Sequence, residues 1–196
     1  MFYYTTFFKS VSTRSNMSSS NNSGLSGPNI LVTGTPGTGK TTLCHLLAEK
    51  LPEMEVVEVG SLVKTHALHE GWNETFEAFD LDEDKLIDFM EPIMEGGNKI
   101  VDFHSCEIFP ERWFHLVIVL RTSTESLYSR LMQRKYSEVK ISENMECEIM
   151  QVVLESAREN YEESIVQELR SDSVEEMESN AARIASWVQA WRQNNS

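Results

Sequence analysis

Gly34-Thr35-Pro36-Gly37-Thr38-Gly39-Lys40-Thr41 is a run whose residue types and spacing suit one task, the grip of a phosphate chain. An anion needs many weak donors converging on it, and glycine lets the backbone come close with its N–H groups turned inward. Gly34, Gly37 and Gly39 supply that freedom, with Thr38 between the last two. A helix beginning near Gly39 then aims its positive dipole end and its free N–H groups at the same place. Lys40 adds a full charge for the outer phosphates, and the Thr41 hydroxyl is positioned to ligate magnesium. The order is that of a P-loop and implies ATP with Mg2+ as the ligand.

Asp102 ends an apolar run, Lys99-Ile100-Val101-Asp102-Phe103, which reads as a strand. At the carboxyl edge of a parallel sheet it would face bound ligand and hold magnesium through water; alone it would read as a turn cap, but beside a P-loop the functional reading is preferred. His104, two residues on, shares that face if the strand persists, where it can orient or activate a water near the γ-phosphate. Arg130 and Arg134, four apart on one helical face, and Arg121 at a strand end are noticeable in an acidic chain. Arginines folded over a nucleotide stabilise the charge of phosphoryl transfer; the alternative is surface pairing with Glu125 and Glu138.

The elements that must position these groups alternate between short apolar runs and helical patterns, the signature of a parallel sheet wrapped by helices. The first strand is expected over 29–33, followed by a helix from Gly39 with Leu43, Leu46, Leu47 and Leu51 on one face. A second strand covers 55–59. The long interval after it reads as helical, with Ser61 capping one helix and Leu86, Phe89, Met90 and Ile93 marking another that Pro92 must kink or end. Further strands are expected at 99–103 and 116–120. Thr122 with Glu125 forms a capping box for the next helix, and a longer helix spans about 142–161. The 165–169 run is open between more helix and a fifth strand. Ser173 with Glu176 starts a last helix, in which Met177, Ala181, Ile184, Val188 and Trp191 form a packing face.

A chain of 196 residues, 40% hydrophobic, has the size of one compact domain. Seventeen Lys plus Arg against thirty-one Asp plus Glu leave a formal charge of −14, which disfavours direct nucleic-acid binding. Cys44, Cys106 and Cys147 are an odd, scattered set without CxxC spacing, which argues against a disulfide framework or a zinc site. No apolar run approaches the ~20 residues that cross a bilayer, so no membrane association is expected. Residues 1–28 form a Ser/Asn-rich extension that is expected to be disordered. It reads either as an unstructured tail, with Met17 as an alternative start, or as an organelle transit peptide, since no acidic residue precedes Glu49.

A small GTPase would need D-x-x-G, where Asp102-Phe103-His104-Ser105 has no glycine, and an N-K-x-D guanine reader, which is also missing. A helical insertion after the second strand and an arginine-bearing segment after the fourth are the layout of a nucleoside monophosphate kinase. From Pro28 onward the chain resembles the adenylate kinase isoenzyme 6 family, the coilin-interacting nuclear ATPases. The resemblance rests on 29–42, Leu81-Asp82-Glu83-Asp84, Gly96-Gly97 through His104, Phe109-Pro110-Glu111-Arg112-Trp113-Phe114-His115, Val119-Leu120-Arg121-Thr122, Cys147-Glu148-Ile149 and the Trp187 and Trp191 pair.

That resemblance implies an α/β, three-layer P-loop fold with a parallel sheet, an acceptor-binding arm at about 58–81 and a short lid at about 133–143. It implies phosphorylation of AMP-type acceptors by ATP, also of dAMP or CMP, and a slow ATPase linked to small ribosomal subunit maturation through a ribosomal protein partner. Gly37, Gly39, Lys40, Thr41 and Thr42 would bind ATP with Arg134 in the lid, Asp102 and His104 would serve in hydrolysis, and Lys64 and Arg130 are assigned to the acceptor. The family commonly has an arginine where this chain has Lys64, and lysine lacks the bidentate fork that grips a phosphate. A monomer in nucleus and cytoplasm is the remaining expectation.

Overall fold

The computed structural model describes residues 27–74 and 78–195. Five short apolar runs form one parallel sheet: β1 (Ile30–Thr33), β2 (Glu55–Glu58), β5 (Lys99–Asp102), β6 (Leu116–Arg121) and β7 (Val166–Arg170). Their order is β2-β5-β1-β6-β7, every pair parallel. Parallel neighbours require crossovers, and the helices that make them cover both faces. Side-chain alternation sorts the strands accordingly. Ile30, Val32, Ile118 and Leu120 pack with helices α1 (Lys40–Lys50) and α7 (Val174–Asn194). Leu31, Val101, Val117 and Val119 pack with α3 (Glu83–Glu95) and α6 (Val152–Asn160) on the other face. The expected three-layer architecture is therefore present, with the core split in two by the sheet.

The chain leaves central β1, moves outward to β2, returns through β5 and then crosses to β6. This reversal opens a crevice at the carboxyl end of β1, the place where open α/β sheets bind ligands. The 165–169 ambiguity resolves as strand β7, which continues the ladder from Val117 to Arg121.

Several expectations need correction. The interval 58–81 is not all helix: α2 (Val59–Thr65) ends where Ala67 adopts a φ of 52°, and a hairpin follows, β3 (His69–Asn73) with β4 (Ala78–Leu81). Its packing is aromatic, with Phe79 set edge-on to Trp72 and against His69. Pro92 sits inside α3 without ending it; Pro92 and Asp88, whose carbonyl it cannot pair, both face solvent. The long helix over 142–161 is two helices, α5 (Glu138–Ile149) and α6, broken at Gln151 with φ 58°.

Helix α4 (Thr124–Gln133) is capped by Ser123, which accepts from the Ser126 amide, because the Thr122 hydroxyl is taken by Asp172. Ser173 does cap α7, but the Glu176 carboxylate reaches the Asp172 amide. Gly27 and Pro28, assigned above to the disordered extension, are buried, and the Gly27 carbonyl accepts from the Asn98 amide at 3.3 Å. The expectations for residues 1–26 lie outside the described residues. Among the described residues no helix is long and apolar enough to cross a membrane.

Candidate active site

The loop between β1 and α1 has the backbone that its glycines permit. Gly34 has φ 140°, and a Cβ there would lie 2.5 Å from the Leu120 carbonyl oxygen. Gly39, the N-cap of α1, has φ 96° and offers no side chain to cap the helix. Nor is there a carboxylate in the first turn. The leading N–H groups of α1 are thus left for a ligand, and the dipole at that end favours an anion.

Lys40 opens α1 and folds back across the loop, donating from Nζ to the carbonyls of Gly34 at 2.8 Å and Thr35 at 3.2 Å. Burial pushes its ammonium down to about 8, Asp102 opposes that shift and Arg134 adds to it. Such a charge is poorly solvated where it stands, and a phosphate would supply the missing counter-charge. Thr41 and Asp102 were singled out for one metal, and they meet: the hydroxyl donates to Asp102 Oδ2 at 2.5 Å. Asp102 is 9% exposed.

Two hard oxygens fit magnesium, which takes few protein ligands and completes its shell with water and phosphate. No cluster of three or more His, Cys, Asp or Glu suited to a metal exists among the described residues.

Strand β5 ends at Asp102, so strict alternation does not carry His104 onto the same face. His104 instead sits in a bend after the strand, its carbonyl accepting from the Thr33 hydroxyl at 3.2 Å. Its imidazole is pushed down to about 4 by burial first, then by the Lys40 and Lys140 charges. More than a third of the residue nevertheless stays open to water, and the lowered value favours the neutral ring at physiological pH. Lys140, inside the 133–143 segment, was not singled out from the sequence; its effect on His104 brings that segment to the cleft.

The arginines separate. Arg134 is exposed at the C-cap of α4 and close enough to depress Lys40. Arg130 does not pair with Glu125. Its guanidinium donates to the carbonyls of Ser171 at 2.7 Å, Asp172 at 3.2 Å and Gly37 at 3.4 Å. This places it beside β7, whereas Lys64 lies exposed on α2, next to β2 at the opposite edge of the sheet. The two residues assigned together to an acceptor are therefore not brought together. Arg121 is withdrawn from any ligand by a buried pair with Glu148 at 2.6 Å.

Arg130, Gly39, Thr42, Asp172, Val174 and Met177 help line a cavity of about 370 Å³ on the flank of the phosphate loop. A larger groove of about 570 Å³ runs along β2 beneath α2 and α3, but no loop residue lines it. Backbone geometry, Lys40 and the Thr41–Asp102 pair locate the chemistry at the loop, and size does not outweigh them. The Phe109 to His115 motif is structural: Phe109, Trp113 and Phe114 are core residues, and His115 Nδ1 accepts from the Asn29 amide. Glu148, Ser171 and Asp172 were missed as members of the loop's support. Glu148 stood inside a quoted motif, but nothing in its neighbours marks it as buried.

An AAA domain model matches residues 30–151. The chain is 49% identical over 168 residues to the adenylate kinase isoenzyme 6 homolog of Dictyostelium discoideum, covering 86% of this chain and 95% of that one. The homolog of Schizosaccharomyces pombe is likewise 49% identical over 168 residues, with 86% and 95% covered. Among solved structures, a shikimate kinase from Acinetobacter baumannii in complex with shikimate has a TM-score of 0.61 at 15% identity, covering 85% of this chain and 95% of that one. That likeness speaks for the fold.

Proposed function

The chain belongs to the adenylate kinase isoenzyme 6 family, and on that premise we propose that it is a nucleoside monophosphate kinase that moves the γ-phosphoryl group of ATP onto an AMP-type acceptor. The observation that carries the proposal is the conjunction of an uncapped α1, an under-solvated Lys40 ammonium and a Thr41–Asp102 oxygen pair at the mouth of the sheet. Phosphoryl transfer asks little covalent chemistry of a protein and much positioning and charge stabilisation. The loop amides and Lys40 hold the outer phosphates. Thr41 directly, and Asp102 through water, would hold the magnesium ion, which when bound neutralises the charge on the phosphates.

Gly34, Gly37, Thr38, Gly39 and Thr42 complete the donor cradle. We assign the cavity beside Arg130 to the rest of the donor nucleotide, since it opens directly from Gly39 and Thr42. Arg130 therefore moves from acceptor to donor. The acceptor is left to the arm, α2 with its hairpin, where Lys64 supplies a point charge. Arg134, exposed and near Lys40, would meet the transferred group. Comparing ATP consumption with AMP, dAMP, CMP or no acceptor tests the proposal: AMP should raise turnover severalfold, and an AMP-independent rate would defeat it.

A second reading is favoured by His104, an imidazole kept neutral by burial and the Lys40 charge yet still open to water. In it the protein is mainly a slow ATPase whose turnover releases a ribosomal protein of the small subunit, in nucleus and cytoplasm. The net charge of −14 suits a basic partner of that kind.

A further inference from the structure

Resting on the reading that the loop holds a triphosphate, we infer that Glu148 is a positioning residue for that triphosphate, acting through the hydroxyl of Thr35. Glu148 lies in the last turn of α5 and is 4% exposed. One carboxylate oxygen accepts from Arg121 Nε at 2.6 Å and from the Thr122 amide at 3.2 Å. The other accepts from the Thr35 hydroxyl at 2.6 Å. Arg121 also donates to the Glu148 carbonyl at 2.9 Å and reaches Glu168 at 3.3 Å, so the charge is held from three sides.

What Glu148 grips is the hub of the phosphate loop. The Thr35 carbonyl accepts from the Thr38 amide at 3.2 Å, from the Thr38 hydroxyl at 2.9 Å and from Lys40 Nζ at 3.2 Å. Moving Thr35 therefore moves the turn of the loop and the resting place of its ammonium together. A buried hydrogen bond to a charged acceptor fixes that position more firmly than the neutral Thr38 contacts can. Helix α5 starts inside the 133–143 segment, so the same bond ties that segment to the phosphates. Glu148 touches no substrate in this account; it sets where Lys40 and the loop amides stand.

The test is Thr35→Val, which removes the hydroxyl and keeps the shape and the Arg121–Glu148 pair, with Thr35→Ser as the conservative rescue. Binding of a magnesium-bound non-hydrolysable ATP analogue and of AMP is measured by calorimetry, with Tm alongside. Thr35→Val should weaken the analogue about tenfold, because binding must then order the loop, and leave AMP unchanged. Thr35→Ser should restore it. Glu148→Gln should repeat the loss, and the double variant should be no worse than either single one; if Glu148→Gln does not fold, the Thr35 pair decides alone. A lower Tm with both affinities unaltered would make the contact merely structural and overturn the inference. So would equal losses for both nucleotides. Wild-type protein that fails to bind the analogue would refute the phosphate-loop reading itself, which is a separate result from wild-type binding with an unaffected Thr35→Val.

Discussion

Asp172 lies where β7 hands over to α7 and is the point at which three elements are pinned together. Its Oδ1 accepts from the Ser123 amide at 2.5 Å and the Thr122 hydroxyl at 2.8 Å, while Oδ2 pairs with Arg170 at 2.7 Å. Replacing it by alanine deletes two hydrogen bonds to a charged acceptor and leaves a part-buried amide without a partner. At the low end for such bonds this costs about 2–4 kcal/mol. The Arg170 pair, with side chains 52% and 26% exposed, adds roughly 0–1 kcal/mol. In a domain of this size the sum lowers Tm by about 4–20 °C. Asp172→Asn keeps an Oδ1 acceptor but loses the charge, so it should cost less than the alanine, roughly 1–3 kcal/mol.

The pH dependence follows from the same contacts. Burial pushes the Asp172 carboxyl up, but the hydrogen bonds from Ser123, Thr122 and Arg170 overcome it and hold the group well below its ordinary value of 3.8. The unfolded chain therefore takes up this proton first. Stability from the site is fully present above pH 3.8 and is lost as the pH falls towards the depressed folded value. Urea denaturation of wild type, Asp172→Ala and Asp172→Asn at about pH 7 and about pH 3 measures all three quantities. A loss under about 1 kcal/mol for Asp172→Ala, or an asparagine as damaging as the alanine, would refute the assignment of stability to the Oδ1 acceptor.

Lys40→Met should cut turnover by about a hundredfold or more, since it removes one charge aimed at the transferring phosphates, yet leave Tm unchanged or higher because burial disfavours the ammonium. Steady-state ATP consumption and a thermal melt check both halves, and a clearly lowered Tm would contradict the second. His104→Ala should reduce ATP turnover measured without acceptor by about tenfold or more while AMP-dependent turnover falls less, because only hydrolysis needs a water oriented there. Equal losses in the two assays would remove the hydrolytic reading.

Much of the candidate site was legible because its residues are local in sequence. Gly34 to Thr41 sits between one strand and one helix, so spacing alone specifies the loop, the dipole and the ammonium. Asp102 was readable because a strand end in a parallel sheet has one destination. The hairpin over 69–81 escaped because its pairing joins ring contacts across a turn, which no helical or strand period displays. The break at Gln151 escaped because apolar spacing continues through it, and only the left-handed φ of one residue interrupts the helix.

From the sequence alone follow the alternation of strands and helices, the phosphate loop and the identity of the charged groups offered to a nucleotide. These depend on residue type and on separations of a few positions, where backbone geometry leaves little choice. The tertiary structure decided the partners. Arg121 and Glu148 lie 27 positions apart, Thr35 and Glu148 lie 113 apart, and Ser171 reaches the Thr38 carbonyl across 133. Which of several arginines meets a buried carboxylate and which stays free for a ligand depends on how α4, α5 and β7 close around the loop. That closure is set by burial of their apolar faces, a force without direction in sequence, so the side chains it brings together carry no local mark of one another.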